Sequence, residues 1–328
     1  MGTPEFAIAP LQKLVDNNYN IAAVVTVADK PSGRGLRLHS SPVKDFAVEN
    51  NIPVLQPLKL SDPEFLTKLK EFNADLFIVV AFRKLPESVW KMPPLGCFNL
   101  HASLLPQYRG AAPINHAIIN GEEVTGVTTF FLNDEIDKGS IIKQRAIGIG
   151  ADETAGELHD RLKTLGSEVV IETVDAIFNK SYAVIDQDEI ASGLIVNGIT
   201  DNSGLKNIPQ ISGPLKSAPK IFRNDCKINW HQPALTIHNF IRGLSPYPGA
   251  FGEMLTNEII KELKVIKTSL TGITSEELPG TIIIKEGRFL IACQDEYIEL
   301  LKIQPVGKKI MASIEFLRGY RSEFSRFI

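Results

Sequence analysis

The sequence predicts a doubly wound α/β domain followed by a smaller β-barrel domain, and three observations carry that expectation. Helix and strand signals alternate through the first third of the chain, as they do in a sheet with crossover helices. The strongest strand signal, Leu76-Phe77-Ile78-Val79-Val80, is apolar throughout with no polar alternation, which implies a sheet covered on both faces. The last third instead carries short strand signals separated by turn residues, the spacing of a small barrel. With 328 residues and 44% apolar content, two domains, each with its own core, are the natural division.

Taken in order, Thr3-Pro4-Glu5 opens a helix: proline sits in the first turn and an acid at the positive end of the dipole, ahead of Phe6, Leu11 and Leu14. Residues 21–27 are apolar and rich in β-branched side chains, hence a strand; 65–72 place Leu66 and Leu69 on one side of a helix; 74–81 form a buried strand. After a Pro-Pro-Leu-Gly turn, 95–102 read as a further buried strand. A helix over 113–119 follows, then strands over 125–132 and 140–149. Asp152 opens a helix with Leu158, Leu162 and Leu165 at helical spacing that continues towards Phe178. The stretch 186–219 is rich in Ser, Gly, Asn and Pro and is expected to link a catalytic domain, 1–185, to a second domain, 220–328. The second domain should hold a helix over 233–242 and strands over 252–255, 263–268, 280–285, 289–292 and 297–303.

The chemistry concentrates in Phe98-Asn99-Leu100-His101-Ala102-Ser103-Leu104-Leu105-Pro106-Gln107-Tyr108-Arg109-Gly110, answered 36 positions after His101 by Asp137 in Asp134-Glu135-Ile136-Asp137-Lys138-Gly139. On a strand Asn99 and His101 face the same side. An Asn amide can donate to a developing oxyanion, a His can hold or pass a proton near neutral pH, and a carboxylate can fix the imidazole's charge and orientation. Those are the parts a carbonyl transfer needs. Taken singly, a His on an apolar strand is more often a hydrogen-bonded core residue and an Asp before Gly a turn residue. Their joint occurrence in one long motif favours a site. Cys97, beside the motif, reads as a buried small apolar residue rather than a nucleophile.

The Asn-x-His pair, the continuation from Ser103 through Pro113 and the later Asp-x-Gly resemble the folate-dependent formyltransferases, most closely those acting on methionyl-tRNA. The likeness extends to Gly2-Thr3-Pro4-Glu5-Phe6-Ala7, to Asp29-Lys30-Pro31-Ser32-Gly33-Arg34-Gly35 and to Leu301-Lys302-Ile303-Gln304-Pro305-Val306-Gly307-Lys308-Lys309, so it covers both ends and most of the chain. It implies a Rossmann-like formyltransferase domain and an OB-like C-terminal domain used on tRNA. The activity it implies is transfer of a formyl group from 10-formyltetrahydrofolate to the amino group of methionine esterified to initiator tRNA. On this likeness Asn99 is an oxyanion donor, His101 stabilises the same oxygen or shuttles protons, and Asp137 holds His101 charged and helps accept the proton of the amine. Ser103, Leu104, Leu105 and Pro106 match the segment that lies against the folate. Arg34, in a loop with Lys30, Arg37 and Lys44, matches a tRNA-contacting insertion, and Lys308 and Lys309 match a Gly-Lys-Lys that can pair with phosphates. No metal and no nucleophile are expected.

Some positions depart from the family pattern. Arg83 and Lys84 stand where Tyr-Gly is frequent, which leaves the pterin pocket's shape open; 190–203 look longer than usual; His116 carries no assigned role. In the family a strand precedes Gly-Thr-Pro. The reading frame is therefore expected to begin at an internal methionine, with roughly six residues, a typical strand, missing ahead of it. A truncated homologue that fills the slot otherwise is the alternative.

Composition bounds the rest. The formal net charge is −3, distributed as −8 over residues 1–205 and +5 over residues 206–328, and a basic second half suits an anionic partner. Cys97, Cys226 and Cys293 are widely separated and odd in number, which points to a reducing compartment. Without a signal peptide or an apolar run of about 18 residues, the chain is expected to be cytoplasmic, soluble and monomeric. The Asn-His-Asp trio is shared with formyltransferases acting on glycinamide ribonucleotide and on amino sugars. A sugar-nucleotide N-formyltransferase, an idle RNA- or folate-binding module and a hydrolase releasing formate therefore stay open as readings.

Overall fold

The structure, a computed structural model, describes residues 1–32, 37–192, 205–206, 213–256, 258–319 and 325–328. Along the chain a 3-10 turn at Glu5–Ala7 leads into α1 (Ile8–Asp16), β1 (Val24–Val25), an antiparallel pair β2 (Lys30–Ser32) and β3 (Arg37–His39), α2 (Pro42–Glu49) and β4 (Val54–Leu55). Next come α3 (Pro63–Glu71), β5 (Phe77–Val80), α4 (Glu87–Trp90), β6 (Cys97–His101) and β7 (Arg109–Gly110). They are followed by α5 (Pro113–Ile119), β8 (Val124–Phe131), β9 (Ile141–Gly148), α6 (Ala155–Phe178), α7 (Gln187–Ala191), β10 (Leu205–Lys206) and β11 (Ser217–Ala218). The remainder holds α8 (Ala234–Gly243), β12 (Ala250–Thr256), β13 (Ile259–Thr274), β14 (Ile282–Lys285), β15 (Arg288–Ala292), β16 (Glu296–Pro305), β17 (Met311–Ala312), α9 (Ser313–Arg318) and β18 (Ser325–Phe327). Among the described residues no helix is long and apolar enough to cross a membrane.

Capping chemistry sets several boundaries. Asp62 accepts from the Glu64 N–H at 2.9 Å with Pro63 at the first helical position, so α3 begins ahead of its apolar stripe. The sequence points to Asp152 as the start of α6, but the cap is Thr154. Its hydroxyl accepts the Glu157 N–H at 3.3 Å while the Glu157 carboxylate accepts the Thr154 N–H at 2.8 Å, a capping box that satisfies two otherwise orphaned donors.

The chain divides into two compact units, Met1–Gly110 with Val124–Gly148 and His159–Ser217, and Ala111–Glu123 with Ile149–Leu158 and Ala218–Ile328. In the first unit the main sheet runs β10-β9-β8-β6-β5. It is mixed: β5 and β6, and β9 and β10, pair in parallel, whereas β8 pairs antiparallel with both β6 and β9. A short loop joins β8 to β9, and only an antiparallel pair can be closed so tightly. Phe65, Leu69, Phe77, Val79, Leu85 and Val89 pack one core of this unit. β1 pairs with β4, and Met1 and Gly2 bridge towards β5: the Gly2 N–H donates to Val25 O at 3.1 Å and the Val80 N–H to Met1 O at 2.9 Å. A cavity of about 410 Å³ opens here, bordered by Ala23, Val25, Phe77, Ile78 and Val174.

The second unit is a curved antiparallel sheet, β14-β15-β16-β13-β12-β18, packed on α8 through Ile237, Ile241, Phe251, Ile291 and Ile298. Register shifts in β13 between Val265 and Thr268 bend it. Thr281, just ahead of β14, bridges Arg326 of β18, so the sheet nearly closes into a barrel. At this closure Gly280 has φ +88° and a Cβ there would lie 2.5 Å from Phe327 O, so only glycine fits.

A buried histidine couples this unit to pH. His238 on α8 is 3% exposed; its Nδ1 hydrogen-bonds the Thr268 hydroxyl at 2.9 Å and its Nε2 lies 3.2 Å from an Asp152 carboxylate oxygen. Burial, aided by the Arg242 charge, outweighs Asp152 and pushes the imidazole below the ordinary histidine value. The unfolded chain therefore binds this proton more readily than the folded one, so stability is full above about pH 6.5 and falls as pH drops through the lowered value. Urea midpoints are expected to decline between pH 7 and pH 5 and to decline less in His238→Gln. Equal slopes in the two proteins would refute the assignment.

Candidate active site

β6 carries Asn99 and His101 two residues apart on one side of the sheet, with Asn99 opposite Phe130 and His101 opposite Thr128 on β8. His101 is 6% exposed. Its Nε2 lies 2.9 Å from the Tyr108 carbonyl oxygen; a carbonyl only accepts, so Nε2 carries the proton and donates. That leaves Nδ1 turned to Asp137, whose Oδ2 is 3.9 Å away, within ion-pair range but too long for a hydrogen bond. The same Oδ2 accepts the Gly110 N–H at 3.0 Å. Asn99 is half-buried, and among the described residues its amide has no hydrogen-bond partner.

The loop between β8 and β9 delivers Asp137 in a left-handed conformation, φ +54°, a region uncommon for non-glycine residues but more accessible to Asp than to most, and the surroundings hold it there. Two features do so. At Gly139 a Cβ would lie 1.6 Å from the Phe131 carbonyl oxygen, so the backbone is pressed against the end of β8. On the other side Gln187, 1% exposed, donates through Nε2 to the carbonyls of Asp137 at 2.9 Å and Gly139 at 2.8 Å. Its Oε1 accepts both Nε and Nη2 of Arg109 at 2.9 and 2.7 Å. Burial lowers the Arg109 guanidinium from its ordinary value, opposed by the nearby carboxylates of Asp188, Asp137, Glu135 and Asp186. Neither Gln187 nor this use of Arg109 is readable from spacing. Gln187 falls in the stretch whose composition reads as a linker, and its one local signal is the Asp186 side chain accepting the Asp188 N–H at 2.7 Å.

Ser103, Leu104, Leu105 and Pro106 are all buried. The Ser103 hydroxyl donates to Gln107 O at 2.6 Å; the Thr128 hydroxyl donates to Ser103 O at 2.6 Å and accepts the Leu105 N–H at 3.1 Å; Gln144 donates to Leu105 O at 2.6 Å. The turn is thereby tied to β8 and β9. Arg83 donates to Leu58 O at 2.9 Å and Lys84 to Asp134 O at 2.9 Å, so both tie down loops. Burial pushes the Cys97 thiol up to about 12, which keeps it protonated and unreactive. His116 Nε2 hydrogen-bonds the Pro219 carbonyl oxygen at 3.0 Å. Lys308 and Lys309 are exposed in the second unit, on a turn where the Lys308 N–H donates to Pro305 O at 3.0 Å. Arg34 lies outside the described residues.

The formyl transferase model matches residues 1–174 and the model of the formyl transferase C-terminal domain matches residues 220–321. The chain is similar to the methionyl-tRNA formyltransferase of Bacteroides thetaiotaomicron, 46% identical over 323 residues, covering 98% of this chain and 94% of that protein. It is likewise similar to the methionyl-tRNA formyltransferase of Bacteroides fragilis, 47% identical over 328 residues, with coverage of 98% and 94%. The fold is shared with an N-formyltransferase from Helicobacter canadensis, solved with folinic acid and dTDP-3-aminofucose. The TM-score is 0.60 at 22% identity, covering 93% of this chain and 97% of that one.

Proposed function

The chain belongs to the formyl transferase family, and from that premise we propose that it transfers a formyl group from 10-formyltetrahydrofolate to the amino group of methionine on initiator tRNA, supporting translation initiation. The observation that carries the reading is the juxtaposition of an Asn99 amide that has no hydrogen-bond partner among the described residues with a buried His101 whose Nδ1 faces Asp137. The similar proteins named methionyl-tRNA formyltransferases support the acceptor. The folinic acid bound to the structural relative supports a folate-class donor.

In the reaction the amine attacks as the neutral base, a C–N bond forms to the formyl carbon, and the oxygen becomes an oxyanion. Asn99 donates to that oxygen, a contact typically worth about 3 kcal/mol of barrier. His101 stabilises the same oxygen or relays a proton. Among the described residues the Asp137 contacts all fall on Oδ2, so the carboxylate accepts the proton released by the amine, directly or through a water, and offsets the positive charge that His101 gains when it relays a proton. Collapse breaks the bond to the folate nitrogen, which leaves with a proton. Ser103, Leu104, Leu105 and Pro106 form the turn against the folate, its backbone held by Thr128 and Gln144. Arg34, Lys308 and Lys309 contact tRNA phosphates, in the cytoplasm where charged tRNA is found.

Incubating the protein with 10-formyltetrahydrofolate and charged initiator methionyl-tRNA is expected to give formyl-methionyl-tRNA. Formylation of an amino-sugar nucleotide with none of the tRNA would overturn the acceptor, and formate release without an acceptor would indicate a hydrolase. Replacing Lys308 and Lys309 by Ala should raise KM for tRNA and flatten the salt dependence of tRNA binding by roughly two counterions. An unchanged salt slope would remove them from the tRNA contact.

A further inference from the structure

Gln187 is a neutral side chain whose amide is used completely within the protein. A side-chain amide has two N–H donors and two acceptor positions. Here Nε2 donates to the backbone carbonyls of Asp137 and Gly139, and Oε1 accepts two bonds from Arg109. The opposite orientation of the amide would set an oxygen against two carbonyl oxygens and an NH₂ against a guanidinium, so the assignment is unambiguous. The two carbonyls flank Lys138, which puts the clamp on the turn that carries the Asp137 carboxylate. Arg109 is also fixed through its own chain: the next residue, Gly110, donates its N–H to Asp137 Oδ2. One buried amide thus ties both ends of Asp137, its backbone directly and its carboxylate through the Arg109–Gly110 strand.

The clamp is itself held. Ile185 pairs with Ile141 through two backbone hydrogen bonds, Ile141 N–H to Ile185 O at 2.8 Å and Ile185 N–H to Ile141 O at 3.0 Å. The Ile185 side chain packs with Leu105, Phe130 and Ile141, and Ile190 packs against the same cluster. α7 therefore enters the first unit with its own apolar anchor, and Gln187 is delivered in register with the loop.

We propose that Gln187 is a positioning residue for formyl transfer, holding the Asp137 loop in the left-handed conformation that aims its carboxylate at His101. The proposal rests on the acid–base reading of His101 and Asp137. A side chain of similar bulk without donors or acceptors would release the loop and leave the buried Gly139 carbonyl and the half-buried Asp137 carbonyl and Arg109 guanidinium without this partner. A displacement of about 1 Å at a reacting group costs up to about 100-fold in rate.

The experiment is a double-mutant cycle in steady-state kinetics with 10-formyltetrahydrofolate and charged initiator methionyl-tRNA, using Gln187→Leu, Asp137→Asn and the pair. Gln187→Leu is expected to lower kcat by about 10- to 100-fold, with both KM values within about twofold, and to cost nothing further once Asp137 is Asn. Gln187→Glu keeps the bond to Arg109 but loses the two donors, so it should show the same kcat loss, and it provides the reading if the Leu variant does not fold. A Gln187 variant at wild-type kcat, or one whose full loss persists in the Asp137→Asn background, overturns the positioning role while leaving the acid–base reading intact. Wild-type kcat in Asp137→Asn alone overturns that reading and the positioning role with it.

Discussion

Asp137→Asn is expected to lower kcat for formyl transfer by about 100-fold to 10,000-fold, and His101→Asn by a similar factor, because general acid–base groups typically contribute that much. Asn keeps the shape of Asp and an oxygen that can still accept the Gly110 N–H, which the native carboxylate meets at 3.0 Å. The loop should therefore stay in place while the charge is lost. What disappears is the proposed base for the amine proton and the negative charge facing His101 Nδ1 across 3.9 Å. Pre-steady-state measurement with both substrates bound separates this from a binding defect: the single-turnover rate should fall as far as kcat does, with substrate affinities little changed. His101→Asn removes the ring that donates to Tyr108 O, so its unfolding midpoint should be checked beside its rate. Wild-type single-turnover rates in either variant would contradict the assignment.

Gly139→Ala is expected to damage fold and rate together. The added methyl would stand 1.6 Å from Phe131 O and 2.8 Å from the Phe131 carbonyl carbon, and these are backbone atoms of a paired strand end that cannot rotate away. Either β8 or the Asp137 loop must shift. A cost of about 3 kcal/mol is reasonable for such overpacking, read as a lower urea midpoint with an unchanged slope. Because the Gly139 carbonyl is also one of the two that Gln187 holds, the residual folded enzyme should lose roughly a further 100-fold in kcat from a misplaced Asp137. Stability within about 0.5 kcal/mol of the parent protein, the range of an ordinary surface change, would show that the loop can relax around the methyl.

Both variants touch residues that the sequence already marks, but for reasons it does not contain. Asp-x-Gly is visible as a motif, whereas the need for glycine arises from a carbonyl eight positions earlier that only the β8–β9 hairpin brings near. Asn99 and His101 are legible because a strand's period of two places them side by side, and 95–102 is apolar enough to be read as that strand. The observed β6 is Cys97–His101, with its ends trimmed where pairing stops. Helix α5 coincides with its expected span, Pro113–Ile119, because proline and the apolar spacing act within the segment. In contrast, α2 goes unread in sequence although Ser41 caps it, accepting the Lys44 N–H at 3.2 Å. Its eight residues are too few for periodicity to stand out from a loop rich in basic residues.

Local chemistry by itself therefore determined the alternation of helices and strands, the short turn-punctuated strands of the second unit and the side-by-side pair on β6. Each of these depends on neighbours within a few positions of the chain. Only the tertiary structure decided the mixed direction of the sheet, the tautomer of His101 and the clamp made by Gln187. The sheet direction follows from which strands meet, the tautomer from the Tyr108 carbonyl that the turn folds back onto the ring. Gln187 is 50 residues from Asp137, and nothing in its own polar surroundings distinguishes it. Its role exists because burial removes water as a competing partner and leaves two carbonyls and a guanidinium as the groups its amide must satisfy.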